Sequence, residues 1–230
     1  MSKKQSTQEK IGFVVKFLFG ILIQIPFLFL PAWTLNWTEG WIWIGLFLLY
    51  VIFVTAYLYK HDMTLLKKRM SYKLPTEKWD RIIMYGFFIT VAPIFILPGF
   101  DFRFSWSKVI WWVELIGGVC VGLAFFIIFL VMQHNSYLAR IVEIRKEEGH
   151  KVITTGPYRV VRHPMYSAFL LLFISAPLLL GSYYALIPGI LSDVLLIIRT
   201  LFEDKLLHTE LEGYAEYAQK TRYRVIPGIW

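Results

Sequence analysis

The sequence predicts an all-α fold: a polytopic membrane helix bundle of about six transmembrane helices, including a C-terminal helical hairpin, with both termini cytoplasmic. Three observations predict it. Hydrophobic residues make up 57% of the 230 residues and charged residues 17%, where a soluble domain has roughly half and about a quarter. The aromatic content of 18% suits a protein whose rings line two membrane interfaces. The lysines and arginines are distributed so that alternate connections are basic. The mean hydropathy of +0.55 agrees with the first of these.

About 20 apolar residues are needed to cross the hydrocarbon core. Four runs meet that length: Ile11–Trp33, Gly40–Tyr59, Ile82–Phe100 and Val109–Met132. A longer apolar stretch from Met165 to Phe202 is interrupted by "GSYY" at Gly181–Tyr184. Gly and Ser there suit a tight turn, and an unbroken helix of that length would overrun the bilayer. The stretch therefore reads as a hairpin, with Pro177 and Pro188 inside it. Such breaks are tolerated where neighbouring helices satisfy the freed backbone.

Orientation follows from charge. Lys3, Lys4, Lys10 and Lys16 precede or enter the first span, and the connection 60–81 carries Lys60, Lys67, Lys68, Arg69, Lys73, Lys78 and Arg81. Arg140, Arg145, Lys146, Lys151, Arg159 and Arg162 follow the fourth span, and Arg199, Lys205, Lys220, Arg222 and Arg224 close the sequence. Only Arg103 and Lys108 of the 24 basic residues are left for the other side. This positive-inside pattern explains the net charge of +8 and removes the need for a nucleic-acid partner. The first apolar run is too long for a signal h-region, and the turn Thr34–Gly40 leaves no room for an outer domain. The expected division is a four-span N-terminal part, 1–132, and a region 133–230 that holds the polar chemistry. The basic connection 60–81 reads as an interfacial helix on anionic lipid. Cys120, the single cysteine, reads as a small core residue without an intrachain disulfide partner.

Common catalytic signatures are missing. His61, His134, His150, His163 and His208 show no metal spacing, so no metal is expected. There is no CxxC, Walker loop, GxSxG or Gly-rich dinucleotide fingerprint. What remains is a set of polar residues at membrane depth. Arg199 and Glu203 are spaced i, i+4, share a helix face and can pair. They are functional candidates by position, with interfacial snorkelling as the plainer reading. Asp193 lies deeper and reads equally as a packing, pore or cavity carboxylate. His163–Pro164 places proline at a helix start, where its missing N–H costs nothing. The first-turn N–H groups then form a potential anion dock, although any one such residue also suits a membrane anchor.

The segments "GHKVITTGPYRVVRHPMY", "RTLFED" and "EGYAEYAQKTRYRVIPG", separated by the apolar hairpin, resemble the isoprenylcysteine carboxyl methyltransferase family. The likeness extends to the related membrane phospholipid methyltransferases, which share an RHPxY…EE pattern. It covers roughly Glu143 to Pro227, while the first three spans match only in character. The resemblance implies a membrane-embedded bundle that binds S-adenosylmethionine at its cytoplasmic side. It implies cofactor-binding positions at Tyr158, at His163, Pro164, Met165 and Tyr166, and at His150, Lys151, Val152 and Ile153. Glu143 stands where the family often has Gln. Glu203 falls at the cofactor-binding glutamate, and Arg199 at the arginine implicated in holding the acceptor end of the substrate. Arg199 and Glu203 are accordingly the catalytic candidates. The sequence departs from the pattern at Ala168, where RHPxYxG has Gly, and at Asp204, the second position of the EE pair.

The implied protein is an S-adenosylmethionine-dependent methyltransferase for a lipidic or amphiphilic acceptor, such as an isoprenylcysteine-like carboxylate, at the cytoplasmic membrane face. Pro164 and His163 would receive the methionine carboxylate, and Val152, Ile153 and Tyr158 would form the adenine slot. A carboxylate acceptor needs no base; for an amine or thiol, Glu203, Asp204 or Asp193 would serve. Two alternatives belong to other classes. One is an NADPH-dependent membrane reductase of the related sterol-reductase type, with Arg159 and Arg162 on the 2′-phosphate. The other is a non-enzymatic transporter or scaffold.

Overall fold

The computed structural model describes residues 20, 22–70, 75, 77–138 and 151–230. Among these residues all regular structure is helical. In chain order the α-helices are α1 (Gln24–Ala32), α2 (Thr38–His61), α3 (Met63–Met70), α4 (Lys78–Phe104), α5 (Trp111–His134), α6 (Pro164–Leu179), α7 (Leu186–Glu210) and α8 (Tyr214–Lys220). A 3₁₀ turn, Gly156–Arg159, precedes α6.

Helices α2, α4 and α5 are long and apolar enough to cross a membrane; α6 is apolar but has 16 residues. The runs Gly40–Tyr59 and Ile82–Phe100 lie inside α2 and α4, and α5 takes up the run Val109–Met132 from Trp111 onward. Of the run Ile11–Trp33 only the later part falls in a described helix, α1. Bulky apolar side chains cover the outer faces of the bundle, with Phe88 82%, Ile89 73% and Ile82 71% exposed on α4. An apolar surface of that extent belongs against lipid.

The hairpin forms where the sequence breaks. Pro164 opens α6 at its first position, where its fixed φ is preorganised for the helix. Leu180 closes it, and Gly181 turns the chain with φ +72°, a conformation that favours glycine. Gly189 then lets α7 pack onto α6, because a Cβ there would collide with the Phe173 carbonyl. The interior between α2, α4 and α5 is aromatic. Trp43 packs 4.9 Å from Phe95 and 6.0 Å from Phe125, and Tyr50 stacks on Phe125 at 4.5 Å. Ala168, where the family pattern expects glycine, has no exposed surface and is accommodated in this core.

The helices run so that polar groups collect at two ends. At one end the C-terminus of α4, the connection 105–110 and the hairpin turn meet, and Asp101 accepts hydrogen bonds from Ser107 and Ser182. At the other end the start of α4, the start of α6 and the last turns of α7 converge. The basic connection contains α3, capped by Asp62 Oδ1, which accepts from the Leu65 N–H at 2.8 Å. Leu65 and Leu66 are buried, so this short helix is docked on the protein as well as basic.

Candidate functional site

The polar end of the hairpin is assembled by three helices and the C-terminal tail. Tyr166, on the first turn of α6, donates its hydroxyl to Glu203 Oε2. The other Glu203 oxygen lies 4.0 Å from His163 Nδ1. The His163 and Tyr166 rings stack at 5.6 Å with an interplanar angle of 6°. Arg199, one turn before Glu203, sits over the Tyr166 ring at 5.8 Å. Arg199 pairs with Asp80 of α4, with Nε 3.0 Å from Oδ1 and Nη2 donating to Oδ2 at 3.4 Å. The shorter contact is ionic in geometry and the longer one is the directed hydrogen bond. Arg199 and Glu203 share the face expected from their spacing, and each is engaged by another helix.

Asp204 has a different role from the one its motif position suggests. Arg162 grips it with Nε at 2.9 Å and Nη2 at 3.1 Å. Arg224 Nε approaches at 2.9 Å, the Tyr214 hydroxyl donates at 2.8 Å, and His163 Nε2 lies 3.2 Å away. Burial alone would raise this carboxyl. Hydrogen bonds from His163 and Tyr214, the charge of His163, and Arg224 outweigh it and hold the group well below the usual carboxylate range. A carboxylate so thoroughly bonded joins α6, α7 and the tail and does not act as a base. Asp193 is also distant from this chemistry. It precedes Glu203 by ten residues, roughly 15 Å along a helix axis, and its buried Oδ1 has no hydrogen-bond partner.

The two backbone amides just ahead of Pro164 are bonded to the tail. The Arg162 N–H donates to the Tyr223 carbonyl at 2.9 Å and the His163 N–H to the Arg224 carbonyl at 2.8 Å. Ser167 Oγ donates to the Val225 carbonyl. The tail thus fastens the residues that lead into α6, while the Tyr166 and Ser167 N–H groups donate to the His163 carbonyl. Arg162 also donates Nη1 to the carbonyls of Thr221 and Arg222 at 3.1 Å each, so it is not available to a 2′-phosphate. Of the two arginines suggested for that role only Arg159 is exposed.

The remaining expected cofactor positions fall on the approach to α6. Tyr158 is buried, and its hydroxyl accepts from Asn135 Nδ2 at 2.7 Å. Burial foremost pushes the Tyr158 phenol up, against the Asn135 hydrogen bond. Its carbonyl accepts from the Tyr217 hydroxyl at 2.7 Å, which ties the 3₁₀ turn to α8. Val152 and Ile153 are half-buried against the core, Lys151 is exposed, and Pro164 and Met165 are buried. Glu143 and His150 lie outside the described residues. The sequence reading missed Asp80, which it had placed within a lipid-resting basic segment, and the individual parts played by Tyr214, Tyr217, Asn135 and Arg224. No local signal separates Asp80 from Asp62 and Glu77 of the same connection.

Fold and site together define a membrane helical hairpin with an ionised, tail-capped mouth. Residues 112–212 match the family model described as phospholipid methyltransferase, which spans the hairpin together with Arg199, Glu203 and Asp204. The chain is also similar to protein-S-isoprenylcysteine O-methyltransferase B of Arabidopsis thaliana, at 30% identity over 87 residues, 35% of this chain and 38% of that protein. Probable protein-S-isoprenylcysteine O-methyltransferases of the indica and japonica subspecies of Oryza sativa are each 29% identical over 121 residues, 49% of this chain and 61% of theirs. The likeness to the isoprenylcysteine carboxyl methyltransferase family and to the related phospholipid methyltransferases is thereby borne out. The match reaches over less than two thirds of each relative's length.

Proposed function

We propose that this chain is an integral-membrane, S-adenosylmethionine-dependent methyltransferase acting on a lipidic or amphiphilic acceptor at the cytoplasmic membrane face. The relatives are named as protein-S-isoprenylcysteine O-methyltransferases, and an isoprenylcysteine-like carboxylate is the acceptor class we favour. The observation that carries this reading is the convergence of Tyr166, Glu203 and Arg199 at the mouth of the hairpin, inside the matched segment. Topology belongs to the same proposal: about six spans with both termini cytoplasmic, a four-span part over 1–132, and a cofactor-binding region over 133–230.

The residues present fit the cofactor in part. Glu203 has one oxygen held by Tyr166 and the other 4.0 Å from His163, so it offers an anchored carboxylate to a cation. Val152, Ile153 and Tyr158 offer apolar walls for a flat ring. Of the positions drawn from the resemblance, His163, Pro164, Met165 and Tyr166 frame the same mouth, Lys151 lies on the approach to α6, and the first-turn N–H groups after Pro164 remain the dock for the methionine carboxylate; Glu143 and His150 are kept as expected cofactor positions. When bound, S-adenosylmethionine supplies a methyl group activated by its sulfonium. Tyr166 orients Glu203 towards that positive charge. Arg199 holds an anionic acceptor end in line, and the packed hairpin excludes water. A carboxylate acceptor arrives deprotonated. For an amine or thiol, Glu203 is the base within reach of the mouth.

Calorimetric titration of the detergent-purified protein with S-adenosylmethionine tests the reading, with saturable binding as the expected result. Folded protein that binds none overturns it. Glu203→Ala is expected to abolish that binding. Arg199→Ala is expected to leave it in place and to lose turnover, and the reverse pattern would exchange the two assignments. A thermal-shift comparison with NADPH separates the reductase alternative.

A further inference from the structure

Asp80 belongs to α4, outside the segment that matches the methyltransferase family model. It nevertheless reaches the site. Its side chain has no exposed surface, and its partner Arg199 is 8% exposed. The two carboxylate oxygens face Nε and Nη2 along one edge of the guanidinium, with an ion contact at 3.0 Å and a hydrogen bond at 3.4 Å, and two contacts on one edge restrain the guanidinium plane as well as its position. The Tyr166 ring supports the same group from its face at 5.8 Å. The preceding residue, Trp79, stacks on Phe202 at 5.1 Å with 19° between the rings. Two consecutive residues on the first turn of α4 therefore engage two residues of α7 spaced i, i+3. An acidic group in a first helical turn is also favoured by the helix dipole.

Burying a pair of opposite charges is a poor way to gain stability, because desolvation offsets the attraction and apolar residues of similar volume often do as well. What such a pair supplies is geometry. Arg199 is the residue the proposed function places against the acceptor. We propose that Asp80 is a positioning residue for the acceptor end of this site: it sets the plane of the Arg199 guanidinium against which an anionic acceptor group lies. This rests on the methyltransferase reading above and deepens it, since it gives the N-terminal helices a part in acceptor recognition.

The test uses the full chain, S-adenosylmethionine and an S-farnesylcysteine derivative as the acceptor probe. Asp80→Asn keeps the shape and removes the charge. It is expected to raise the acceptor KM by about tenfold or more, since it removes a charged partner from an anchoring group. The dissociation constant for S-adenosylmethionine should stay within about threefold. Asp80→Glu, which restores the charge on a longer arm, should recover part of that loss. Trp79→Leu loosens the same helix junction without touching charge. It should lower Tm while leaving the acceptor KM within about twofold. Acceptor binding measured by calorimetry with S-adenosylhomocysteine present should weaken in parallel for Asp80→Asn. An unchanged acceptor KM in Asp80→Asn overturns the positioning role and leaves the methyltransferase reading intact. Equal losses in Asp80→Asn and Trp79→Leu, or failure of both Asp80 variants to fold, assign Asp80 to structure alone and also overturn it. Wild-type protein that binds no S-adenosylmethionine, or transfers no methyl group to the probe, overturns the functional reading and this inference with it.

Discussion

The two ends of the hairpin bundle handle buried carboxylates in opposite ways. At the turn end, Asp101 is 1% exposed and its donors are the Ser107 N–H at 2.6 Å, the Ser107 hydroxyl at 2.7 Å and the Ser182 hydroxyl. All are neutral, and all are local to the turn and the connection it touches. At the mouth, Asp80, Glu203 and Asp204 are set among Arg162, Arg199, Arg224 and His163, with partners drawn from three helices and the tail. Hydroxyl and amide donors satisfy a carboxylate at modest desolvation cost and serve to fasten a corner. Concentrating several ions in one place is expensive, and such clusters mark functional sites more often than structural ones. The contrast shows a fastened corner at the turn end and, at the mouth, the ion cluster on which the proposed function rests.

Asp204 offers the sharpest way to break that contrast, because it is a fastener inside the chemical end. Its ordinary ionisation is depressed in the folded state. The stability it contributes is therefore complete above the unfolded carboxylate value of about 4. It is lost as pH falls from there towards the folded value. Asp204→Asn should cost about 3–5 kcal/mol at neutral pH, because Arg162 would be left buried without its counter-charge. The same change should flatten the acid limb of the stability curve. Denaturation in detergent at about pH 7 and at about pH 2 reads both effects. A variant that unfolds normally at pH 7 would remove Asp204 from the fastening role.

Asp101→Ala should come next, at about 1–3 kcal/mol, since it strands the Ser107 and Ser182 donors. Affinity for S-adenosylmethionine should not change, and a weakened titration would show that the two ends are coupled. The smallest effect is expected for Ala168→Gly, which restores the family letter at a fully buried position. It should lower stability by about 1 kcal/mol through backbone entropy and lost packing, read as a small drop in Tm with cofactor affinity unchanged.

Much of this was legible in sequence because the signals are local. Apolar runs gave α2, α4 and α5, and Gly181 with Ser182 gave the hairpin turn that the structure contains. Tyr166, Arg199 and Glu203 could be paired through an ordered motif before any distance was known. The Asp80–Arg199 pair, 119 residues apart, leaves no periodicity behind. It was therefore hidden in a segment whose composition spoke of lipid. Asp204 misled for a related reason. A residue type tells which protons it can exchange, and only its neighbours tell whether it is free to do so. The tail was recognised as a motif, but its backbone role at α6 was invisible because carbonyls carry no sequence.

That backbone role has a consequence for how the protein is made. The Arg162 and His163 amides wait for carbonyls in the segment 222–225, some 60 residues further along the chain. At the usual synthesis rate of about 5–20 residues per second, the residues leading into α6 spend roughly 3–12 s after their own synthesis without these two bonds. The junction ahead of α6 is thus completed only well after α6 itself has been made.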